Sequence, residues 1–541
     1  MQTRPWRDVL LGAAGVLFGA TSLPWPFGWD TAIHYYVGRE WALRGAVPYR
    51  DSFDHKTPGI HLVHALVVTV LGEGMWGIRI VEVCAVVVLG WACASVVAGG
   101  RGQRGPDGLR GAAILTASVL YYGFFDYRFT AQCELLATTL CGVALLAAWR
   151  MRHVGWASLT AGLVTGAMLA LKPPLVLMAL LPLVALGVRA AGLARSRHAA
   201  RAAGVARSTG LFATGALVVP ALFVGYFAAC GSATDLLHFA VLINFAYLRN
   251  EPGLTTPGEI AAHVYAMWRC FCPIASLLVT AAVVATGDAL LRRSRARLAR
   301  WATAWALVAL GALVVGVQFK FYFYHWTVLL LGVVLLAVNV MADAARAVRA
   351  SRRPWVPLVT AVVLLAAFSG TGDVFDGWLR TTAATWHWLR GDWDRARYAS
   401  MFHAWDGIHR YADVEATGLW IREHSAPGDE LLVRGVAAEI YVVSGLHAPG
   451  RFFWTAFLTR PSRRYRREAL LDEDSAVIDA KKPRWVVTWT ETREGPESEG
   501  YFLPRGYVER AQVGPYTVLE RGPQSPVPAS SAAGGAGGGG L

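Results

Sequence analysis

Three carboxylates and three lysines in this sequence stand in surroundings so apolar that each calls for a chemical reason. Asp30 and Asp54 lie in "GWDTAIHYYVGREWALRGAVPYRDSFDHKTPGIH" (residues 28–61), directly after the first apolar run, with His34, His55, His61 and Lys56 in the same stretch. Glu134 opens the apolar "CELLATTLCGVALLA", Lys172 precedes Pro173-Pro174, and Lys320 begins "KFYFYHW" with Tyr324 and His325. A carboxylate within reach of a hydroxyl can take its proton as a new bond forms. Cations grouped near it can hold an anionic ligand through charge-assisted hydrogen bonds.

The elements that must position these groups are membrane helices. The chain has 541 residues, 55% hydrophobic and 16% charged, with mean hydropathy +0.39, far from the composition of a soluble enzyme. Apolar runs of about 17 to 25 residues suit a bilayer crossing. They recur near 8–24, 75–98, 110–125, 131–149, 155–171, 173–190, 209–231, 270–290, 300–318, 325–343 and 355–371. The fold class is therefore a polytopic α-helical membrane protein of about eleven transmembrane helices with a C-terminal extracytoplasmic α/β domain. The first run follows "RPWR" and has no small-x-small cleavage site after it, so it reads as a retained helix.

One alternate set of loops is rich in arginine: "GGRGQRGPDGLR", "WRMRHVG", "RAAGLARSRHAARAAGVARS", "LLRRSRARLAR" and "ARAVRASRRP". The positive-inside rule assigns that set and the N-terminus to the cytoplasm of a cell membrane, and the stretch 28–61 and the C-terminal domain to the other side. This placement also accounts for the net charge of +14 without a nucleic-acid partner. The seven cysteines (84, 93, 133, 141, 230, 270 and 272) all lie in or beside apolar runs, so no disulfide framework is implied, and the C-x-C at Cys270 and Cys272 reads as helix packing.

The chain has five lysines against forty-six arginines, and Lys56, Lys172 and Lys320 all fall on the outward side. A charge at bilayer depth costs about 2.5 to 3.5 kcal/mol on insertion scales. Single lysines can snorkel to the interface; three on one side favour a shared anion, and a lipid phosphate is the natural one there.

Residues 1–371 form the membrane domain, with an outer loop at 25–74. Residues 372–399 read as an amphipathic connector, 400–523 as the α/β domain and 524–541, "SPVPASSAAGGAGGGGL" at its end, as a disordered tail. Within 232–268, "LLHFAVLINFAYLRN" reads as an amphipathic helix on the membrane surface. The C-terminal domain has no phosphate-loop glycines and no nucleophile elbow, which suits acceptor recognition or scaffolding.

In order along the chain, "WDTAIHYYVGREWALRG", "PYRDSFDHKTPGIH", "CELLATTLCGVALLA" and "QFKFYFYHW" resemble bacterial members of the GT-C glycosyltransferase superfamily. The nearest likenesses are the protein O-mannosyltransferase-like and lipid A aminoarabinose transferase-like enzymes, over roughly residues 5–371. The resemblance implies sugar transfer from a polyprenyl-phosphate donor to an extracytoplasmic acceptor (a cell-envelope glycan, lipid or protein), with a first-loop acid as general base. Asp30 matches that acid. "DHKTP" stands where many relatives carry a His/Lys-Pro-Pro segment, with Thr57 departing from it, and Glu134 stands where a second acid is common.

The chemistry gives each residue a part. Asp30, Asp54 and Glu134 are the catalytic candidates, Asp30 foremost. Lys56, Arg128, Lys172, Lys320 and His325 are candidates for the donor phosphate, which needs cations and not a proton donor as it leaves. His34, His55 and Tyr324 are expected to line the substrate cavity. One base and an activated phosphate donor suit a single inverting displacement, by analogy with glycosidases. Asp30 could instead cap the helix it precedes, and Asp51 and Asp54 could be turn residues. His61 and His64 share a helix face at i, i+3, which raises a metal site; polar lining is preferred. Glu134 needs a cationic partner, and Arg128 is nearest in sequence. No cofactor is implied, and whether a divalent cation assists is left open. The rival classes are a lipid-linked oligosaccharide polymerase or ligase and a non-enzymatic lipid-binding membrane protein.

Overall fold

The computed structural model describes residues 6–98, 106–193, 198–250, 256–350, 372–403, 410–459, 465–490 and 498–522. The expected span at 355–371, the tail at 524–541 and the side chains of Cys270 and Cys272 lie outside them. The chain forms two compact units: Met1–Ala412 with Arg460–Arg467, and Asp413–Thr459 with Glu468–Leu541.

The first unit is helical. Its leading elements are α1 (Trp6–Ala20), α2 (Trp29–Arg44), α3 (Pro58–Leu71), α4 (Trp76–Val97), α5 (Leu109–Phe124), α6 (Cys133–Arg150), α7 (Val154–Leu171), α8 (Leu180–Leu193) and α9 (His198–Ala229). Longer helices Pro257–Leu291, Arg295–Gln318 and Leu330–Ala350 follow. Among the described residues seven helices are long and apolar enough to cross a bilayer: α4, α6, α7, Pro173–Gly192, Ala199–Ala229, Arg295–Gln318 and Phe323–Val348. The protein is therefore a multi-pass membrane protein. The expected count of eleven is not reached among them. Part of the reason is that α1 and α5 have only 15 and 16 residues, about 22 to 24 Å at 1.5 Å per residue.

Small residues set the helix spacing. On α7, a Cβ at Gly166 would lie 2.7 Å from the Ala216 carbonyl oxygen of α9, and the Ser158 and Ser208 hydroxyls meet at 2.7 Å across the same crossing. Without water to expel, van der Waals contact between close backbones and interhelical hydrogen bonds hold membrane helices together. The Asp8 carboxylate of α1 accepts from the Arg110 and Gly111 amides (2.9 and 3.0 Å), satisfying donors that the start of α5 leaves open.

Two close approaches position the region between α1 and α4. Helix α2 starts after Gly28 and stops at Gly45, whose φ of 67° takes the left-handed turn that ends it. A Cβ on Gly28 would lie 2.6 Å from the Arg128 Cα, so glycine alone lets the start of α2 rest on the loop before α6. Pro58 sits in the first turn of α3, where its missing N–H costs nothing. Thr57, in the cap position, donates its hydroxyl to the Leu171 carbonyl (3.0 Å), and a Cβ on Gly59 would be 2.5 Å from the Ala170 oxygen. These contacts bring the loop that carries Lys56 against the end of α7, where Lys172 stands.

The second unit is a small α/β domain. Strands β1 (Leu431–Val433), β2 (Trp485–Trp489), β3 (Tyr507–Val513) and β4 (Tyr516–Arg521) form one sheet of order β1-β2-β4-β3. The β1–β2 pair is parallel and the other two are antiparallel. Ile478 of the helix Arg467–Lys481 joins Leu432, Val486 and Leu519 in its core, and a buried Arg434–Asp474 pair at 2.8 Å ties that helix to the end of β1.

The glycine at 166 and the one at 225 should answer the same substitution with opposite signs. Gly166→Ala forces α7 from α9 and is expected to cost about 1 to 3 kcal/mol. Gly225→Ala meets nothing within 4 Å and should stabilise its helix by about 0.5 to 1 kcal/mol. Thermal unfolding of the two variants in detergent checks this; equal shifts would contradict the packing.

Candidate active site

The loop between α2 and α3 folds around Asp54. Its carboxylate is buried, accepts from the His55 amide at 2.6 Å and from His61 Nε2 at 2.8 Å, and lies 3.8 Å from His34 Nε2. An ionised carboxylate can only accept, so His61 carries its proton on Nε2. Burial would raise the Asp54 carboxyl, but hydrogen bonds from His55 and His61 hold it well below the usual carboxylate range. The turn reading applies to Asp51, which accepts from the Val47 amide at 2.7 Å and pairs with Arg50. Asp54 is instead the buried hub of this loop. His34 is buried in the same cluster, ring to ring with His61 and His64.

A second cluster gathers groups far apart in sequence. Glu134 lies in the first turn of α6 after Gln132, where the helix dipole favours an anion. Its carboxylate meets Lys172 Nζ at 2.6 Å, and His325 Nε2 lies 4.0 Å away. Arg128, nearest in sequence, is not its partner: the Arg128 guanidinium is bound to Asp126 at 2.6 Å. Lys172 reaches Glu134 because Pro173 stops α7 there and leaves Lys172 extended (φ −153°, ψ 91°). Lys56 Nζ sits 5.3 Å from the Tyr324 ring centroid, and Tyr324 packs edge-on against His325 (4.8 Å). Lys320 lies over the Tyr247 ring at 3.5 Å and donates to the Tyr247 carbonyl at 3.3 Å. It is flanked by Phe319 and Phe321 with φ of 52° and 50°, a left-handed backbone that bulky residues hold only where the surroundings impose it.

Asp30 stands apart from the other two acids. It is half-buried in the first turn of α2, whose cap position is held by Gly28, so the capping alternative does not apply. Among the described residues it makes no hydrogen bond and no ion pair, whereas Asp54 is held by histidines and Glu134 by Lys172. Lys56 is its cationic counterpart. It too has no carboxylate at ion-pair distance among the described residues. Burial would lower the Lys56 ammonium, but the surrounding Tyr324, Asp30, Cys133 and Glu134 raise it well above its ordinary value. The arrangement thus offers one carboxylate able to accept a proton and, in its field, one ammonium able to accept an anion.

Sequence reading passed over Arg79 and Glu82, inside the first turns of α4, which form a buried pair at 3.2 Å. The signal was present: two opposite charges at i, i+3 in an otherwise apolar span. For a metal, the described residues contain no group of three His, Cys, Asp or Glu side chains placed to hold one.

No family model matches the chain, and no curated protein matches it in sequence. Among solved structures, it is similar to ArnT from Cupriavidus metallidurans bound to undecaprenyl phosphate. The identity is 13%, the TM-score 0.55, and the match covers 95% of this chain and 99% of ArnT. The apo state of the same protein matches at 14% identity, TM-score 0.54 and the same coverage. The chain thus has the ArnT fold over nearly its whole length.

The Asp54 cluster makes a pH prediction. Burial, with Lys56, His61 and His64 adding to it, lowers His34 well below an ordinary imidazole against the pull of Asp54. Below about pH 6.5 the unfolded chain takes up a proton at this residue that the folded chain refuses. The native state should therefore lose about 1.4 kcal/mol per pH unit through His34 as the pH falls. His34→Gln removes that contribution. Between pH 7 and 5 the wild-type unfolding midpoint is expected to fall more steeply than the variant's, and parallel curves would contradict the assignment.

Proposed function

We propose that the protein transfers a sugar from a polyprenyl-phosphate donor to an acceptor at the extracytoplasmic face of the cell membrane, with inversion at C1. The carrying observation is that, among the described residues, Asp30 alone of the three acids has no hydrogen bond or ion pair, and that Lys56, whose ammonium it helps to raise, has no carboxylate partner. ArnT, whose fold the chain shares, binds undecaprenyl phosphate, which makes a lipid-borne phosphate the anion of choice for Lys56. The arginine-rich loops support a cytoplasmic N-terminus and an extracytoplasmic site and C-terminal unit.

In this reading an acceptor hydroxyl donates its proton to the Asp30 carboxylate as its oxygen bonds to C1. The C1–O bond to the phosphate breaks, and the polyprenyl phosphate leaves with its charge stabilised by Lys56 and by hydrogen bonding from His325. Glu134, 2.6 Å from Lys172 Nζ, holds that side chain in place beside the phosphate. Asp54 shapes the loop that presents Lys56.

Asp30→Asn preserves size and removes the proton acceptor, so turnover should fall at least about 100-fold with the fold retained. Lys56→Ala should raise the donor KM roughly 10- to 150-fold, the loss of about 1.5 to 3 kcal/mol of charge-assisted bonding. Both are read as undecaprenyl phosphate released from undecaprenyl-phosphate sugars by the purified protein. Near-normal turnover in Asp30→Asn, with loss in Asp54→Asn or Glu134→Gln, would show that the base is misassigned.

A further inference from the structure

Asp30 sits at the end of a chain of contacts that begins at a buried ion pair in α4. The Arg79 guanidinium, fully buried, donates to three acceptors on two loops besides Glu82: to the Pro26 carbonyl (2.7 Å), the Tyr127 carbonyl (3.2 Å) and the Thr130 hydroxyl (2.5 Å). Glu82 accepts from the Tyr121 hydroxyl at 2.7 Å and from the Ala131 amide. Ala131 has φ 57°, so the hydrogen bond to Glu82 holds a left-handed turn in a residue that disfavours it. One pair therefore fastens both the strand of loop leading into α2 and the loop leading into α6.

These two loops carry the candidate chemistry. Thr31, next to Asp30, donates to the Thr130 carbonyl and accepts from the Gln132 side chain, both at 3.3 Å. Gly28 rests on the backbone of Arg128. Gln132 is also the cap residue of α6, two positions before Glu134. A charged pair at this depth is expensive to bury, and the Arg79–Glu82 bond alone does not account for five further hydrogen bonds, four of them to loop groups.

We propose that Arg79 and Glu82 are positioning residues, a buried clamp that holds Asp30 and Glu134 at the distance the transfer step needs. The role assigned to Asp30 rests on the function proposed above; the clamp itself does not. Lysine cannot replace Arg79, because a single ammonium cannot span Glu82 and acceptors on two loops in the planar fork that guanidinium provides.

The test uses the full chain in lipid nanodiscs. Arg79→Lys should raise hydrogen exchange of the amides in 24–31 and 126–134 by about tenfold or more, leaving α7 unchanged. Turnover of undecaprenyl-phosphate sugars should fall about 10- to 100-fold, with the donor KM within about threefold of wild type, as expected for a misplaced base. Glu82→Gln, which keeps an acceptor for Tyr121 and Ala131, is the second variant should Arg79→Lys not fold, and should show the same split at smaller size. Unchanged exchange in those segments, or a raised KM with normal kcat, overturns the clamp. Asp30→Asn separates the two claims. Full turnover there refutes the base while the exchange result still decides the clamp; lost turnover there with normal turnover in Arg79→Lys refutes the clamp and keeps the base.

Discussion

A charge removed from water must be compensated, and in a membrane protein almost nothing but another charge or a ring of hydrogen-bond donors can do it. That constraint organises the first unit. Glu134 is compensated by Lys172, Asp54 by His55 and His61, Arg79 by Glu82 and three loop oxygens, and Arg128 by Asp126. When these are set aside, Asp30 and Lys56 are left, among the described residues, with neither bound to a partner of opposite charge at close range, and Asp30 among the groups that raise the Lys56 ammonium.

The same contacts explain why so small a region can be placed accurately. Glycine at 28 and at 59 allows backbone to touch backbone, and the Thr57 hydroxyl links the Lys56 loop to the end of α7. Each joins segments distant in sequence, so Asp30, Lys56, Glu134 and Lys172 are carried on elements that cannot shift independently. Preorganised charge of this kind stabilises a developing negative charge on a leaving group without reorganisation during the reaction.

Much of the architecture was legible from composition, because so many apolar runs of bilayer length are more than the core of a soluble domain could bury. The helices at α4, α6, α7 and Arg295–Gln318 fall where the runs are, and the strand at Trp485–Trp489 where "RWVVTWT" is. Asp30, Lys56 and Glu134 also stand out in the sequence, from the rarity of charge in such surroundings. Pairing was not. Nothing local marks Lys172 and not Arg128 as the partner of Glu134, since that choice is made by the packing of α6 against α7. Whether Asp54 is a turn residue or a catalytic acid stays open in the sequence, because the histidines at 55 and 61 reveal their contact with it only once α3 folds back. Arg79 and Glu82 were hidden by hydropathy averaging, which reports a span and not the charges within it.

The central claim is that this protein consumes a polyprenyl-phosphate sugar at the outer face of the membrane. Mass spectrometry of lipid-linked sugars and envelope glycans in a strain lacking the protein addresses it most directly. One polyprenyl-phosphate sugar is expected to accumulate and an envelope component to lose the mass of that sugar, both reversed by the wild-type chain and neither by Asp30→Asn. Unchanged lipid-linked sugars and unchanged envelope glycans in that strain would contradict it.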